Sequence, residues 1–275
     1  MLAQEIAIAK RLAREAGRVI LDHYQRGTPV EFKGPGKADP VTQADRDANH
    51  LIVDGLARAF PTDAILAEES TPAADRRSHR RLWCIDPLDG TREFIDHNGQ
   101  FVVMIGLAVD GEAVMGVVYQ PTEDVLWWGA AGRAARERAD QTTPLGPSRC
   151  GDPREARIVV SRSHRSTTVT KVTAALGIPH EEPLGSVGLK VARVASGEAD
   201  VYLSMSTNTR EWDACAPEAI LRAAGGRMTD VLGDPLRYNK DDVSTPRGLL
   251  ATNGALHTRV VDVTRPFARE RGWLT

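Results

Sequence analysis

The segment Trp83-Cys-Ile-Asp86-Pro-Leu-Asp89-Gly-Thr91 limits what this chain can become more than any other. Arg81–Ile85 is a largely apolar run of strand character that ends in a carboxylate, and Pro87 cannot donate to a ladder, so the strand is expected to stop there. Asp89 comes three residues later, and Gly90-Thr91 opens a turn or short helix. Carboxylates spaced in this way can approach within a few ångström, repel, and raise at least one pKa. Either they cap a turn, as Asp-Pro and Asp-Gly often do, or a hard cation neutralises them. Mg²⁺ takes oxygen ligands and suits one or two carboxylates plus a substrate phosphate. The amides of Gly90 and Thr91, at a helix start, can hold a phosphate oxygen.

Other acids stand in comparable positions. Ala64–Ala67 reads as a strand ending in Glu68-Glu69. Asp213 follows Trp212 and opens a helix through Ala224, either as its cap or as a ligand. Thr42-x-x-Asp45 has the form of a capping box with Asp in place of Glu. A carboxylate at a helix N-terminus stays ionised, so capping and proton acceptance are compatible there. Lys37, in the Gly/Pro loop of residues 33–40, is either a solvated charge or a phosphate contact.

Around these acids the periodicity alternates between helix and strand. Helices are expected over Leu2–Tyr24 and Thr42–Phe60, and a hairpin over Phe101–Val109 and Ala113–Tyr119, turned at Asp110-Gly111. Val125–Gly129 is a further strand, and the Arg-, Gly- and Pro-rich stretch 131–156 is a loop or β-excursion. Beyond it come strands at Arg157–Val160, Ala199–Leu203, Arg227–Thr229 and Gly248–Thr252. Helices are expected at Thr167–Leu176, Val187–Ser196, Asp213–Ala224 and after Asn253. The expectation is an α/β chain with an α+β lobe over residues 1–140, carrying most of the acids, and an α/β lobe over 141–275 that contributes Asp213 and substrate contacts.

Lys+Arg 35 against Asp+Glu 37 leaves a net charge of −2, with no global field for holding nucleic acid. No window approaches the roughly 18 apolar residues of a membrane span, and the first residues lack a signal-peptide pattern. Cys84, Cys150 and Cys215 form neither a disulfide framework nor a CxxC metal site. A cytoplasmic protein with reduced thiols is the expectation.

Asp86-Pro-Leu-Asp-Gly-Thr91 resembles the D-P-[LI]-D-G-T signature of the inositol monophosphatase-like, lithium-sensitive phosphatase superfamily. Glu211-Trp-Asp213-Ala-Cys-Ala resembles its W-D-x-A/C-A signature, and Glu68-Glu69-Ser70 its strand-ending E-E-S/T. The resemblance covers residues 1–262. It implies a layered αβαβα sugar-phosphatase fold and a site for two to three Mg²⁺. By that resemblance, Glu68, Asp86 and the carbonyl of Leu88 hold the first ion, Asp86, Asp89 and Asp213 the second, and Glu68 reaches a third. Thr91 and Asp45 relay a proton from the attacking water. Lithium inhibition is implied as well.

Four stretches resemble the CysQ-type 3′(2′),5′-bisphosphate nucleotidase branch. They are Arg92-Glu-Phe94-Ile, Cys215-Ala-Pro-Glu-Ala219, Val160-Ser-Arg-Ser-His164 and Gly185-Ser-Val-Gly-Leu-Lys190. The implied reaction releases phosphate from 3′-phosphoadenosine 5′-phosphate, or from its sulfated form, in the nucleotide recycling of sulfate assimilation. Gly90, Thr91, Ser161, His164, Gly188, Lys190 and Asp213 are the implied substrate contacts. Taken alone, His164 also reads as a surface residue and Lys190 as a solvated helix residue. Trp212 is either a core anchor or a base-stacking platform, while Arg210 and Glu211 either rim the pocket or pair with each other. The alternative activity is an inositol monophosphatase or other sugar-phosphate phosphatase. A catalytically silent relative would need a missing ligand, and none is missing. The only partner implied is a small nucleotide, with the protein a monomer or homodimer.

Overall fold

The computed structural model describes residues 2–27, 29–33, 39–163 and 165–274. The long helix α1 (Ala3–Arg26) buries Ala9, Leu12, Ala13, Ala16 and Ile20, one stripe at helical spacing. An antiparallel hairpin, β1 (Val30–Lys33) and β2 (Asp39–Thr42), leads into α2 (Gln43–Ala59). Next come β3 (Ala64–Ala67), β4 (Arg81–Asp89), the five-residue helix α3 (Thr91–Ile95), β5 (Val102–Val109), β6 (Glu112–Gln120), β7 (Val125–Ala130), β8 (Arg133–Arg138) and β9 (Gln141–Pro144). The remainder comprises β10 (Arg157–Ser161), α4 (Thr167–Leu176), β11 (His180–Leu184), α5 (Val187–Ala195), β12 (Val201–Ser204), α6 (Glu211–Ala224), β13 (Arg227–Thr229), β14 (Leu249–Thr252) and α7 (His257–Glu270).

β3 to β9 form one seven-stranded sheet in sequence order, and the second sheet has the order β11-β10-β12-β14-β13. Alternation along the strands sorts side chains into three cores. Trp83 and Ile85 point to the α1/α2 core, whereas Leu82 and Cys84 point to a core shared with α5 and α6. In the second sheet Val159 joins that shared core, while Ile158 and Val160 face α4 and α7. The result is five layers, αβαβα, as the resemblance implied. α6 can lie close on the first sheet because a Cβ on Gly106 would stand 2.7 Å from the amide of Ala216, and one on Gly116 would meet that residue's carbonyl. Among the described residues no helix is long and apolar enough to cross a membrane. All three cysteines are free.

One expectation needs correction. β4 does not end at Asp86. It continues to Asp89 through a bulge, where Asp86 pairs with Met104 and Asp89 with Val102, and Pro87 occupies the extra position that such an irregularity tolerates. The polar stretch 131–156, expected as a loop or β-excursion, carries the β8–β9 hairpin that extends the first sheet. β11, His-Glu-Glu-Pro-Leu, is an exposed edge strand with no apolar pattern to announce it.

One buried acid outside the site makes a stability prediction. Glu218 on α6 is 7% exposed, and the hydroxyl of Tyr238 donates to it. Burial pushes its carboxyl up to about 7, with the Tyr238 bond pulling it down. A carboxyl raised on folding destabilises progressively as pH climbs from the unfolded value, near 4.3, through the folded one. Glu218→Gln is therefore expected to gain on the order of 3 kcal/mol over the parent between pH 5 and pH 8. Urea unfolding of both proteins across this range checks it, because every other titration cancels in the difference. A pH-independent difference refutes it.

Candidate active site

The ends of β3 and β4 and the starts of α2, α5 and α6 converge on the carboxylates. Asp86, 2% exposed, accepts the amide of Leu88 at 3.0 Å, the bulge turning the chain back on its own carboxylate. Burial raises its pKa well above the usual carboxylate range, and Glu68, Asp89 and Asp213 add to that. Glu68 is carried beside β4 by its amide, which donates to the carbonyl of Ile85 at 3.1 Å. Asp213, third residue of α6, accepts the amide of Arg210 at 2.6 Å. Burial first, then Glu68 and Asp89, push its carboxyl well up.

Asp89 sits at the start of α5. Its Oδ2 accepts the Ser186 hydroxyl at 2.6 Å and the Gly188 amide at 2.8 Å, bonds that do not use Oδ1. Burial raises its pKa, against the opposing pull of Lys190. Among the described residues no three His, Cys, Asp or Glu side chains stand close enough together to cage a metal. Asp89 and Asp213 are each turned onto donors at a helix N-terminus. The donor chemistry nevertheless fits a hard divalent cation: four carboxylates within one another's field, three of them with raised pKa values, and the carbonyl of Leu88 between Asp86 and Asp89.

Thr91 stands over this group. Its hydroxyl is 3.1 Å from Asp45 Oδ1 and 3.2 Å from the carbonyl of Leu88. Asp45 is 2% exposed, and its Oδ2 accepts both the amide of Thr42, at 2.8 Å, and that residue's hydroxyl, at 2.6 Å. One carboxylate therefore caps α2 with one oxygen and holds Thr91 with the other. Burial raises its pKa. Gly90 has a left-handed φ of 99°, and a Cβ there would lie 3.0 Å from the carbonyl of Gln100, so both conformation and space call for glycine. A cleft of about 530 Å³ opens beside Glu68, lined by Val41, Arg46, Glu69, Trp212 and Val243. Trp212 serves as cleft wall and also packs on the middle core.

The residues expected at the substrate are distributed unevenly. Ser161 ends β10 and is half-buried. His164 and Lys37 lie outside the described residues. Lys190 is not solvated: it is 3% exposed, donates to the carbonyl of Leu184 at 3.4 Å, and lies 5.3 Å from the centre of the Tyr202 ring. Burial lowers its pKa to about 8, countered first by Asp89. Gly188 spends its amide on Asp89. Glu211 does not pair with Arg210. It is fully buried and accepts the amides of Asn239, at 2.7 Å, and Lys240, at 3.0 Å.

Sequence reasoning missed Ser186 and Asn49. Ser186 holds Asp89 and caps α5 through the amide of Leu189, and a Ser before an apolar helix is a readable cap signal. Asn49, one turn beyond Asp45, donates to the Ser70 hydroxyl at 2.9 Å and ties α2 to the turn that carries Glu68. No sequence pattern announces that bond.

The family model described as Inositol monophosphatase family matches residues 1–266. The chain is 38% identical over 229 residues to the 3′(2′),5′-bisphosphate nucleotidase CysQ of Salmonella typhimurium, covering 83% of this chain and 91% of that one. It is 30% identical to the human 3′(2′),5′-bisphosphate nucleotidase 1, covering 92% and 91%. Among solved structures, CysQ from Bacteroides thetaiotaomicron superposes with a TM-score of 0.76 at 32% identity, covering 91% of this chain and 97% of that one. An inositol monophosphatase from Anabaena (Nostoc) superposes with a TM-score of 0.80 at 28% identity, covering 96% of each.

Proposed function

This chain belongs to the inositol monophosphatase family, and from that premise we propose that it is a Mg²⁺-dependent 3′(2′),5′-bisphosphate nucleotidase. It removes the 3′-phosphate of 3′-phosphoadenosine 5′-phosphate to leave AMP, and that of the sulfated nucleotide to leave adenosine 5′-phosphosulfate. The chemistry rests on one observation: the Thr91 hydroxyl held by the buried carboxylate of Asp45, beside a cluster in which Glu68, Asp89 and Asp213 all raise the pKa of Asp86. The choice of ester rests on the relatives named above and on the four branch-like stretches.

Glu68, Asp86 and the Leu88 carbonyl are the ligands of the first Mg²⁺ in this reading, Asp86, Asp89 and Asp213 those of the second, with Glu68 reaching a third. Bound there, the metal polarises the phosphoryl oxygens, lowers the pKa of water and stabilises the leaving oxygen. The Thr91 hydroxyl, donating to Asp45, offers its lone pairs to a water proton, and Asp45 receives the proton passed on. Burial makes Asp45 a better acceptor than a surface aspartate. Gly90 and Thr91 amides hold a phosphate oxygen. Asp213, Ser161, Gly188 and His164 are the leaving-group contacts that the family resemblance assigns in this reading. Lys190, beneath Asp89, supplies positive charge from behind the site. The partner is the small nucleotide itself, handled by a cytoplasmic monomer or homodimer.

Phosphate release from a panel of esters tests the reading. The expected order of kcat/KM has the two adenosine bisphosphates above inositol 1-phosphate and p-nitrophenyl phosphate. Inositol 1-phosphate at the head of the panel replaces the proposal with a sugar phosphatase, and no Mg²⁺-dependent release from any ester makes the chain a silent relative.

A further inference from the structure

Gln100 stands just before β5, on the first sheet, and its side-chain Oε1 accepts two hydrogen bonds from the second half of the chain. One comes from the amide of Gly185 at 2.8 Å, the other from Nε of Arg162 at 3.0 Å. Arg162 also donates Nη2 to the carbonyl of Pro183 at 3.1 Å, and its amide reaches Leu184. Its neighbour Ser163 donates to Glu93 of α3. The two segments held by Gln100 leave parallel neighbouring strands side by side, since Ser161 of β10 pairs with Leu184 of β11. Ligands in α/β sheets bind where parallel strands end. The second segment also carries Ser186 and Gly188 to Asp89. Gly185 has no slack: a Cβ would stand 2.8 Å from the backbone carbonyl of Gln100.

We infer that Gln100 is a positioning residue for substrate specificity, whose single side-chain oxygen sets the spacing of the 161–163 and 185–188 segments on the leaving-group side of the site. The inference rests on the nucleotidase reading, in which those segments face the nucleotide. Both donors are N–H groups, so the position needs an acceptor with two lone pairs. Glutamate meets that need and adds attraction to Arg162, whereas leucine offers no acceptor.

Gln100→Leu is expected to raise KM for 3′-phosphoadenosine 5′-phosphate about tenfold, the scale of one lost charge-assisted bond, with kcat/KM for p-nitrophenyl phosphate changed by less than about twofold. The small ester reports that the metal-binding acids are still in place. Gln100→Glu is expected to restore KM to within about threefold of the parent. Arg162→Met, which leaves Gln100 in place, removes the Gln100 bond together with the one to Pro183, so it should raise the same KM, and the double variant should lose less than the two single losses combined. Equal losses on both esters, an unaffected KM, a Gln100→Glu as poor as Gln100→Leu, or additive losses would each overturn the inference. A parent enzyme that prefers inositol 1-phosphate refutes the nucleotidase reading instead. The same variants, measured on that ester against p-nitrophenyl phosphate, then decide the role of Gln100 separately.

Discussion

Asp89→Asn is expected to lower turnover at least ~10²-fold while the protein stays folded. The asparagine oxygen can accept both bonds that Asp89 Oδ2 now accepts, from the Ser186 hydroxyl and the Gly188 amide. The side chain therefore keeps its place and only its charge is lost. A neutral amide is a weak ligand for a hard cation. Without metal, losing the charge relieves Asp86 and Asp213, both of which Asp89 pushes upward, at the expense of its attraction to Lys190. Thermal unfolding in EDTA should thus be close to that of the parent. The stabilisation that added Mg²⁺ gives the parent, which grows with the ratio of ion concentration to Kd, should largely vanish. Phosphate release and unfolding temperature, each across a Mg²⁺ titration, check the two halves. Near-normal turnover in folded Asp89→Asn removes Asp89 from the metal site, and a full Mg²⁺ stabilisation does the same without any activity measurement.

The acids were legible because their chemistry is local. Asp86, Asp89, Gly90 and Thr91 fall within six residues, directly after an apolar run that the sequence itself displays. Asp45 was legible as the acid of a capping box, whereas Asp213 was read as opening its helix and stands instead two residues inside it, accepting the amide of Arg210 at the cap position. What escaped is what depends on partners far along the chain. Glu211 could not be assigned because the amides it holds lie 28 and 29 residues away. Gln100 meets Gly185 across 85 residues. Lys190 has the sequence signature of a solvated helix lysine, yet tertiary packing buries it beneath Asp89. The strands at and next to the sheet edges escaped for another reason. β8, β9 and β11 have mostly polar or half-exposed residues, so hydrophobic alternation, the signal strands are read from, is absent. Pro87 misled because the rule against proline in a ladder has an exception at bulges, and bulges leave little trace in one sequence.

Asp45→Asn should reverse the Thr91 hydrogen bond without disturbing the helix that carries it. Thr42 presents two donors to this side chain, its amide and its hydroxyl, so the asparagine must turn its oxygen toward Thr42. Its NH₂ then faces Thr91, whose hydroxyl becomes an acceptor and sends its hydrogen to the carbonyl of Leu88, 3.2 Å away. A hydroxyl so oriented has one lone pair committed to the amide and no base behind it. It can no longer pass a proton from water to residue 45. The expected loss is roughly 10²- to 10⁴-fold in kcat, with KM nearly unchanged, because no group facing the leaving nucleotide has moved. Thr91→Ala should lose a similar amount, Thr91→Ser should retain most activity, and the double variant should fall no further than either single one. The pH profile gives a second reading. Burial holds the Asp45 carboxyl above the ordinary aspartate range, so the parent's rate should decline on acidification at a higher pH than a surface aspartate would cause. In Asp45→Asn the residual rate should lose that contribution to the acid limb. An Asp45→Asn enzyme with parental kcat, or losses that add in the double variant, would mean that Asp45 serves α2 as a cap and the proton leaves the site another way.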